Sequence, residues 1–168
     1  LPVNPMSCMD AVPGTLNLRP MQAQDEDLSF RVYASTREEE MLLVDWTEQQ
    51  KQEFLWLQFT AQRSHYRTYA PQSEWSVIEV DGQPAGRLIV DRSEAGRIAL
   101  KDIAILPQFR RRGAGTYLLN ALIAEARAAD KQLILHVESF NPALKLYQRL
   151  GFRPSGVQRG VYDEMIWP

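Results

Sequence analysis

The segment PQFRRRGAGTYLLNALIAEA, residues 107–126, carries an electrostatic oddity. Leu118, Leu119, Leu122, Ile123 and Ala126 recur at helical spacing and predict a helix over about 113–129. Arg110, Arg111 and Arg112 stand in front of it. A helix start bears partial positive charge, so each cation there costs about 0.3–1 kcal/mol. Gly113 and Gly115 sit in the same turn. The first backbone N–H groups of a helix lack partners and point outward, and glycine lets a ligand come close to that backbone. Donors, dipole and guanidinium groups together describe an anion site, where a bound phosphate turns the cost into a gain. A solvated basic turn with glycines for packing is the competing reading.

On both sides of this turn the chain reads as short alternating elements. Residues 15–21 alternate apolar and polar as a first strand. Residues 25–41 follow a mixed helical pattern that begins with acids. Thr47 and Gln50 have capping-box spacing, and Phe54, Leu57, Ala61, Leu55 and Phe59 continue at helical intervals to Tyr69, before Pro71. Residues 75–80 and 87–90 flank Asp81-Gly82, a hairpin signal. Residues 97–106 form a long strand ended by Pro107. A strand over 132–137 follows the helix, then a helix from Pro142 to Leu150 closed by Gly151. Two last strands surround a turn at 158–160. This order describes a mixed α/β or α+β sheet with helices on its faces.

Bulk properties set the boundaries. The 168 residues suffice for one core, expected over 15–168, with 1–14 as a flexible segment outside the fold argument. No apolar run approaches the roughly 18 residues of a membrane span, and the first residues lack the basic start and apolar stretch of a signal peptide. The net charge of −2 offers no general attraction for nucleic acid or an anionic membrane, so any anion site is local. The one cysteine, Cys8, excludes an internal disulfide and fits a reducing, cytoplasmic setting. His65 and His136 lie far apart without ligands at metal spacing, so no metal is expected.

The phosphate motif is neither of the two commonest. A P-loop needs Gly-Lys-Ser/Thr, and Gly113-Ala114-Gly115-Thr116 has no lysine. A dinucleotide fingerprint needs a third glycine where Leu118 stands. Arg110-Arg111-Arg112-Gly113-Ala114-Gly115 instead fits Arg/Gln-x-x-Gly-x-Gly/Ala after a strand. It resembles the pyrophosphate-binding motif of the GNAT superfamily of acetyl-CoA-dependent N-acyltransferases. NPALKLYQRLGF, residues 141–152, is similar to a second segment of that superfamily, with Asn141, Leu144, Tyr147, Gly151 and Phe152 at the usual positions and Ala143 one place early. The element order over 15–167 matches as well. The resemblance implies a mostly antiparallel sheet of about seven strands, helices on both faces, and strands splayed around a cofactor cleft.

It also implies acetyl-CoA as donor, an amine as acceptor, no metal, and association as a homodimer. The backbone of Ile103 and Ile105 would pair with the pantetheine arm. The N–H groups of Arg111, Arg112, Gly113, Ala114 and Gly115, with Thr116 nearby, would hold the pyrophosphate, Arg110 would add charge, and Asn141 would meet the arm from the far side. Tyr147 would protonate the departing thiolate after direct attack by the amine, without an acyl-enzyme. The carboxylate that many relatives carry on the long strand is replaced here by Ala99, which leaves Asp102, Glu138, Glu79 and His136 as candidate bases. A non-catalytic acyl-CoA sensor of the same fold is the alternative. The acceptor is expected between the first two helices and the last hairpin. There the run Glu38-Glu39-Glu40 and the aromatics Trp46, Trp56, Tyr66 and Tyr69 offer either a cleft for a cationic amine or an ordinary solvated face and core.

Overall fold

The computed structural model describes residues 14–168; Cys8 and nearly all of the segment expected to be flexible lie outside them. Strands are β1 (Leu16–Pro20), β2 (Glu74–Val80), β3 (Gln83–Asp91), β4 (Arg97–Ile105), β5 (Gln132–Glu138), β6 (Arg153–Arg159) and β7 (Tyr162–Trp167). Helices are α1 (Glu26–Ser35), α2 (Glu38–Leu42), α3 (Glu48–Tyr69), α4 (Ala114–Ala128) and α5 (Leu144–Arg149). The strands form one open sheet in the order β1-β2-β3-β4-β5-β7-β6. Only β4 and β5 run parallel; the other neighbours are antiparallel.

Alternation along the strands divides the core. Leu88, Val90, Ile98, Leu100, Leu133, Leu135 and Val137 pack with the α4 stripe and with Tyr147 of α5. On the opposite face Leu28 and Val32 of α1 meet Val77, Ala104 and Leu106, and Tyr33 meets Leu55 and Phe59 of α3. Helices therefore cover both faces, as expected. Each fully buried apolar side chain contributes about 1.5–3 kcal/mol.

Local chemistry explains the element ends. Thr47 Oγ1 accepts from Gln50 N at 3.2 Å and Gln50 Oε1 from Thr47 N at 2.9 Å, so the expected capping box starts α3. The pattern over 25–41 is not one helix. Ser35 Oγ and Thr36 Oγ1 each donate to the carbonyl three residues back, at 2.7 Å, and the chain breaks before α2 resumes. The helix expected from Pro142 begins at Leu144, because Asn141 Oδ1 first closes a turn on Ala143 N. β3 reaches well beyond 87–90, and the last hairpin turns at Gly160-Val161 between the paired Arg159 and Tyr162, two residues later than the expected turn begins.

One register sets up the site. β4 and β5 pair only over Arg97–Leu100 and Gln132–Leu135. Across β3, Ile89 faces Asp102 while Val90 faces Leu100, so Lys101 is an extra residue, a β-bulge. Beyond it β4 has no partner on its β5 side, and residues 136–138 of β5 pair with β7 alone. The strands splay there, and the expected cleft opens between them.

Candidate active site

The cleft is lined first by backbone. Leu106 N donates to Ala85 O of β3 at 2.8 Å. Antiparallel bonding alternates, so Ala104 also bonds toward β3 while the N–H and C=O of Ile103 and Ile105 turn to the open side. Arg110 Nε donates to Ile105 O at 2.7 Å from that side, which agrees. An extended chain lying in the cleft would find Ile103 and the Ile105 N–H as hydrogen-bonding edges while both side chains stay against the core.

The turn after β4 is held open by conformation. Arg111 and Gly113 both adopt left-handed φ, 59° and 80°, which orients successive amides to one side as an anion nest. Arg110 N donates to Pro107 O and Tyr117 N to Gly113 O. Between them the six N–H groups of residues 111–116 find no acceptor among the described residues. A Cβ on Gly115 would meet Ile105 Cδ1 at an ordinary 3.9 Å, and the polypeptide itself does not require a glycine there. Its lack of a side chain keeps space above the amides for something else.

The three arginines divide their work. The Arg110 guanidinium bridges Ile105 O and Ser35 Oγ (3.2 Å), tying the end of β4 to the last turn of α1. Arg111 and Arg112 are exposed, and Arg112 lies over the Phe109 ring. Arg110 therefore braces the strand, while its two neighbours carry the free charge beside the nest. Thr116 is half-buried in the first turn of α4, and Asn141 is exposed at the end of β5.

Tyr147 projects from α5 into the core on the α4 side, with its ring edge-on to Phe152. Burial, helped by the negative charge of Asp102, pushes its phenol up to about 12. The hydroxyl keeps its proton through the neutral range and finds no partner among the described side chains.

The four candidate bases differ in what they touch. Glu79 is paired with Arg19 (2.6 Å). His136 faces Glu164 (3.3 Å); burial holds its imidazole below the usual value, against the opposing pull of Glu164. Glu138 stands beside the Tyr162 hydroxyl, which burial and that carboxylate push upward. Asp102 Oδ2 accepts from Arg87 Nε at 2.6 Å. Arg87 is 1% exposed, donates also to Ser29 Oγ and Gln62 Oε1, and lies over the rings of Tyr33 and Phe59. Sequence reasoning missed this residue. Its signal was a lone cation heading the apolar strand run Leu88-Ile89-Val90. Tyr66, expected either in a cleft or in the core, is largely buried and donates to Lys101 O in the bulge at 3.1 Å; burial, then Asp102, raises its phenol.

A separate groove of about 560 Å³ lies between α1, α2, α3 and the end of β4, with Phe30, Met41, Leu55 and Leu106 along it and Glu38 and Lys51 at its edge. None of the groups around Tyr147 and Asp102 lines it. Among the described residues no cluster of three or more metal-ligating side chains occurs, and no helix is long and apolar enough to cross a membrane.

The sequence profile described as the acetyltransferase (GNAT) family matches residues 33–152. The chain is 34% identical over 115 residues to an N-alpha-acetyltransferase of Sulfurisphaera tokodaii, covering 60% of this chain and 67% of that protein. It is 29% identical over 133 residues to an uncharacterized N-acetyltransferase of Methanocaldococcus jannaschii, covering 64% of this chain and 58% of that protein. The chain thus spans about three fifths to two thirds of the length of these curated relatives. Among solved structures it is similar to PaiA N-acetyltransferase from Thermoplasma acidophilum in complex with coenzyme A, at TM-score 0.65 and 14% identity over 90% of this chain and 98% of that one. The ribosomal-protein-S18-alanine N-acetyltransferase from Escherichia coli gives TM-score 0.58 and 20% identity over 90% and 91%. At these identities the structural likeness is one of fold.

Proposed function

The chain belongs to the acetyltransferase (GNAT) family, and on that premise we propose that it transfers an acetyl group from acetyl-CoA to a primary amine by direct attack, without an acyl-enzyme. The observation that carries this reading is the run of six unpartnered N–H groups over residues 111–116, at a helix start flanked by two exposed arginines. A diphosphate satisfies those donors and the dipole at once. The pantetheine arm lies along β4 on the outward backbone of Ile103 and Ile105, with Asn141 on the opposite wall. That direction delivers the thioester to the apex of the splay. Tyr147 stands there as proton donor for the departing thiolate, a role worth about 10²–10⁴ in rate. Cys8, the chain's one cysteine, lies outside both motifs, which favours direct transfer.

The relative named as an N-alpha-acetyltransferase puts a protein α-amino group first among acceptors, with small amines second. Calorimetric titration with coenzyme A tests the cofactor site, and thiol release from acetyl-CoA with a panel of amines and alanine-initiated peptides tests transfer. Binding with thiol release supports the enzyme. Binding without release across the panel supports the sensor alternative, and absence of both heat and thermal protection refutes the site.

A further inference from the structure

The acceptor side of the cleft is defined by the bulge. Leu100 faces the α4 core, Lys101 is the extra residue, and Asp102 consequently turns to the α1/α3 face with Ala104. Asp102 is also among the first residues past the last β4–β5 pair, and it precedes Ile103, whose backbone opens on the cleft. Tyr147 approaches the same apex from the opposite face of the sheet. A thioester lying in the slot would thus have a phenol on one side and a carboxylate on the other.

The carboxylate is held in place by its neighbours. One oxygen, Oδ2, accepts from the Arg87 guanidinium, which is fixed in turn by Ser29 and Gln62 and lies beside the rings of Tyr33 and Phe59. The other oxygen, Oδ1, has no partner among the described residues, and the side chain is 21% exposed. Burying a guanidinium is expensive unless it is well paired, and this one is spent on orienting a single carboxylate. Glu79 and His136 are engaged with Arg19 and Glu164. Glu138 sits at the far end of β5 without a comparable brace.

We propose that the acceptor amine docks on Asp102 Oδ1 and gives its proton there, with Arg87 as the positioning residue that holds the carboxylate. The proposal rests on the transferase reading above. In the step, the ammonium first gives one proton to Asp102, and the neutral nitrogen then bonds to the thioester carbonyl carbon as the C–S bond breaks. The sulfur takes the Tyr147 phenol proton, and the surplus proton left on nitrogen passes to solvent. Solvent then removes the proton from Asp102 and restores that of Tyr147, leaving the acetamide and free coenzyme A thiol. Asp102's charge already reaches the reacting groups: it contributes to raising both the Tyr147 and the Tyr66 hydroxyls.

The test compares Asp102→Asn with wild type, using ethylamine and an alanine-initiated peptide as acceptors that are cations at neutral pH, and hydroxylamine as an uncharged one. The Asn oxygen can still accept from Arg87 Nε, while its amide presents a donor where the amine must dock. The expected result is a fall of about 100-fold in kcat/KM for the cationic acceptors, a fall within about threefold for hydroxylamine, and an unchanged KM for acetyl-CoA. Asp102→Glu, which keeps the charge, should recover part of the loss and covers the case in which the Asn variant does not fold. Glu138→Gln should stay within about threefold of wild type. Equal losses for charged and uncharged acceptors reduce Asp102 to a structural role and overturn the proposal. So does an active Asp102→Asn beside an inactive Glu138→Gln. Wild type that releases no thiol with any nucleophile overturns the transferase reading itself, and a bound but unreactive coenzyme A identifies that failure.

Discussion

Replacing Tyr147 by Phe should leave the protein about as stable and far less active. The ring is 9% exposed and packs edge-on against Phe152 at 5.8 Å, contacts that Phe reproduces. The hydroxyl has no partner among the described residues, and only burial of the residue and the Asp102 charge act on its proton. Removing a hydroxyl without a partner should change stability by less than about 1 kcal/mol, which in a chain of this size keeps Tm within about 2–4 °C of wild type. The barrier moves the other way. Loss of the proton donor should lower kcat by about 10²–10⁴, or roughly 3–5 kcal/mol, while coenzyme A binds as before. The pH dependence follows with a definite sign. The folded phenol is raised from 10.0 to about 12, so its stabilisation is complete below pH 10 and is lost as pH climbs through about 12. Two units correspond to about 3 kcal/mol at most. Wild type should lose stability across that window, and Tyr147→Phe should lose less. Thiol release at saturating acetyl-CoA, calorimetric affinity and thermal melts at pH 8 and 11 read all three. Undiminished kcat in the Phe variant refutes the donor role. A joint fall of kcat, affinity and Tm shows instead that the hydroxyl supports the fold.

Two other substitutions separate ligand binding from folding. Gly115→Asp should leave the melting temperature unchanged or slightly higher, because the backbone has room for a Cβ and a carboxylate suits a helix start, worth about 0.3–1 kcal/mol. The same change should weaken coenzyme A at least 100-fold by calorimetry, about 3 kcal/mol, by placing negative charge on the free amides; retained affinity would remove the phosphates from this turn. Arg87→Met strands Asp102, Ser29 and Gln62 and should cost about 3–5 kcal/mol in urea denaturation. Adding Asp102→Asn should then recover part of that loss, and simple additivity of the two changes would deny the pairing.

Much of this molecule is legible locally. The α4 stripe, the Thr47–Gln50 cap, the Asp81-Gly82 turn and the arginine–glycine turn all follow from spacing and residue type within a few positions, because helix periodicity, capping and turn chemistry are short-range. Two motifs in order were enough to place the chain in its family. Even short-range rules failed where side chains competed with backbone: the Ser35 and Thr36 hydroxyls cut one expected helix into α1 and α2.

What only tertiary structure decided is which residues share the cleft. The bulge at Lys101 appears when β4 is laid in register against β3, and the splay appears when β5 stops pairing with β4 at Leu135. Nothing within β4 alone assigns Asp102 to the α1/α3 face. Arg87 meets Asp102, Ser29 and Gln62 across separations of 15, 58 and 25 residues. Arg110, read from the motif as a phosphate contact, proves to brace Ile105 and Ser35 as well. Strand register and the pairing of buried charges depend on every surface packed around them, and a linear pattern holds no record of those distances.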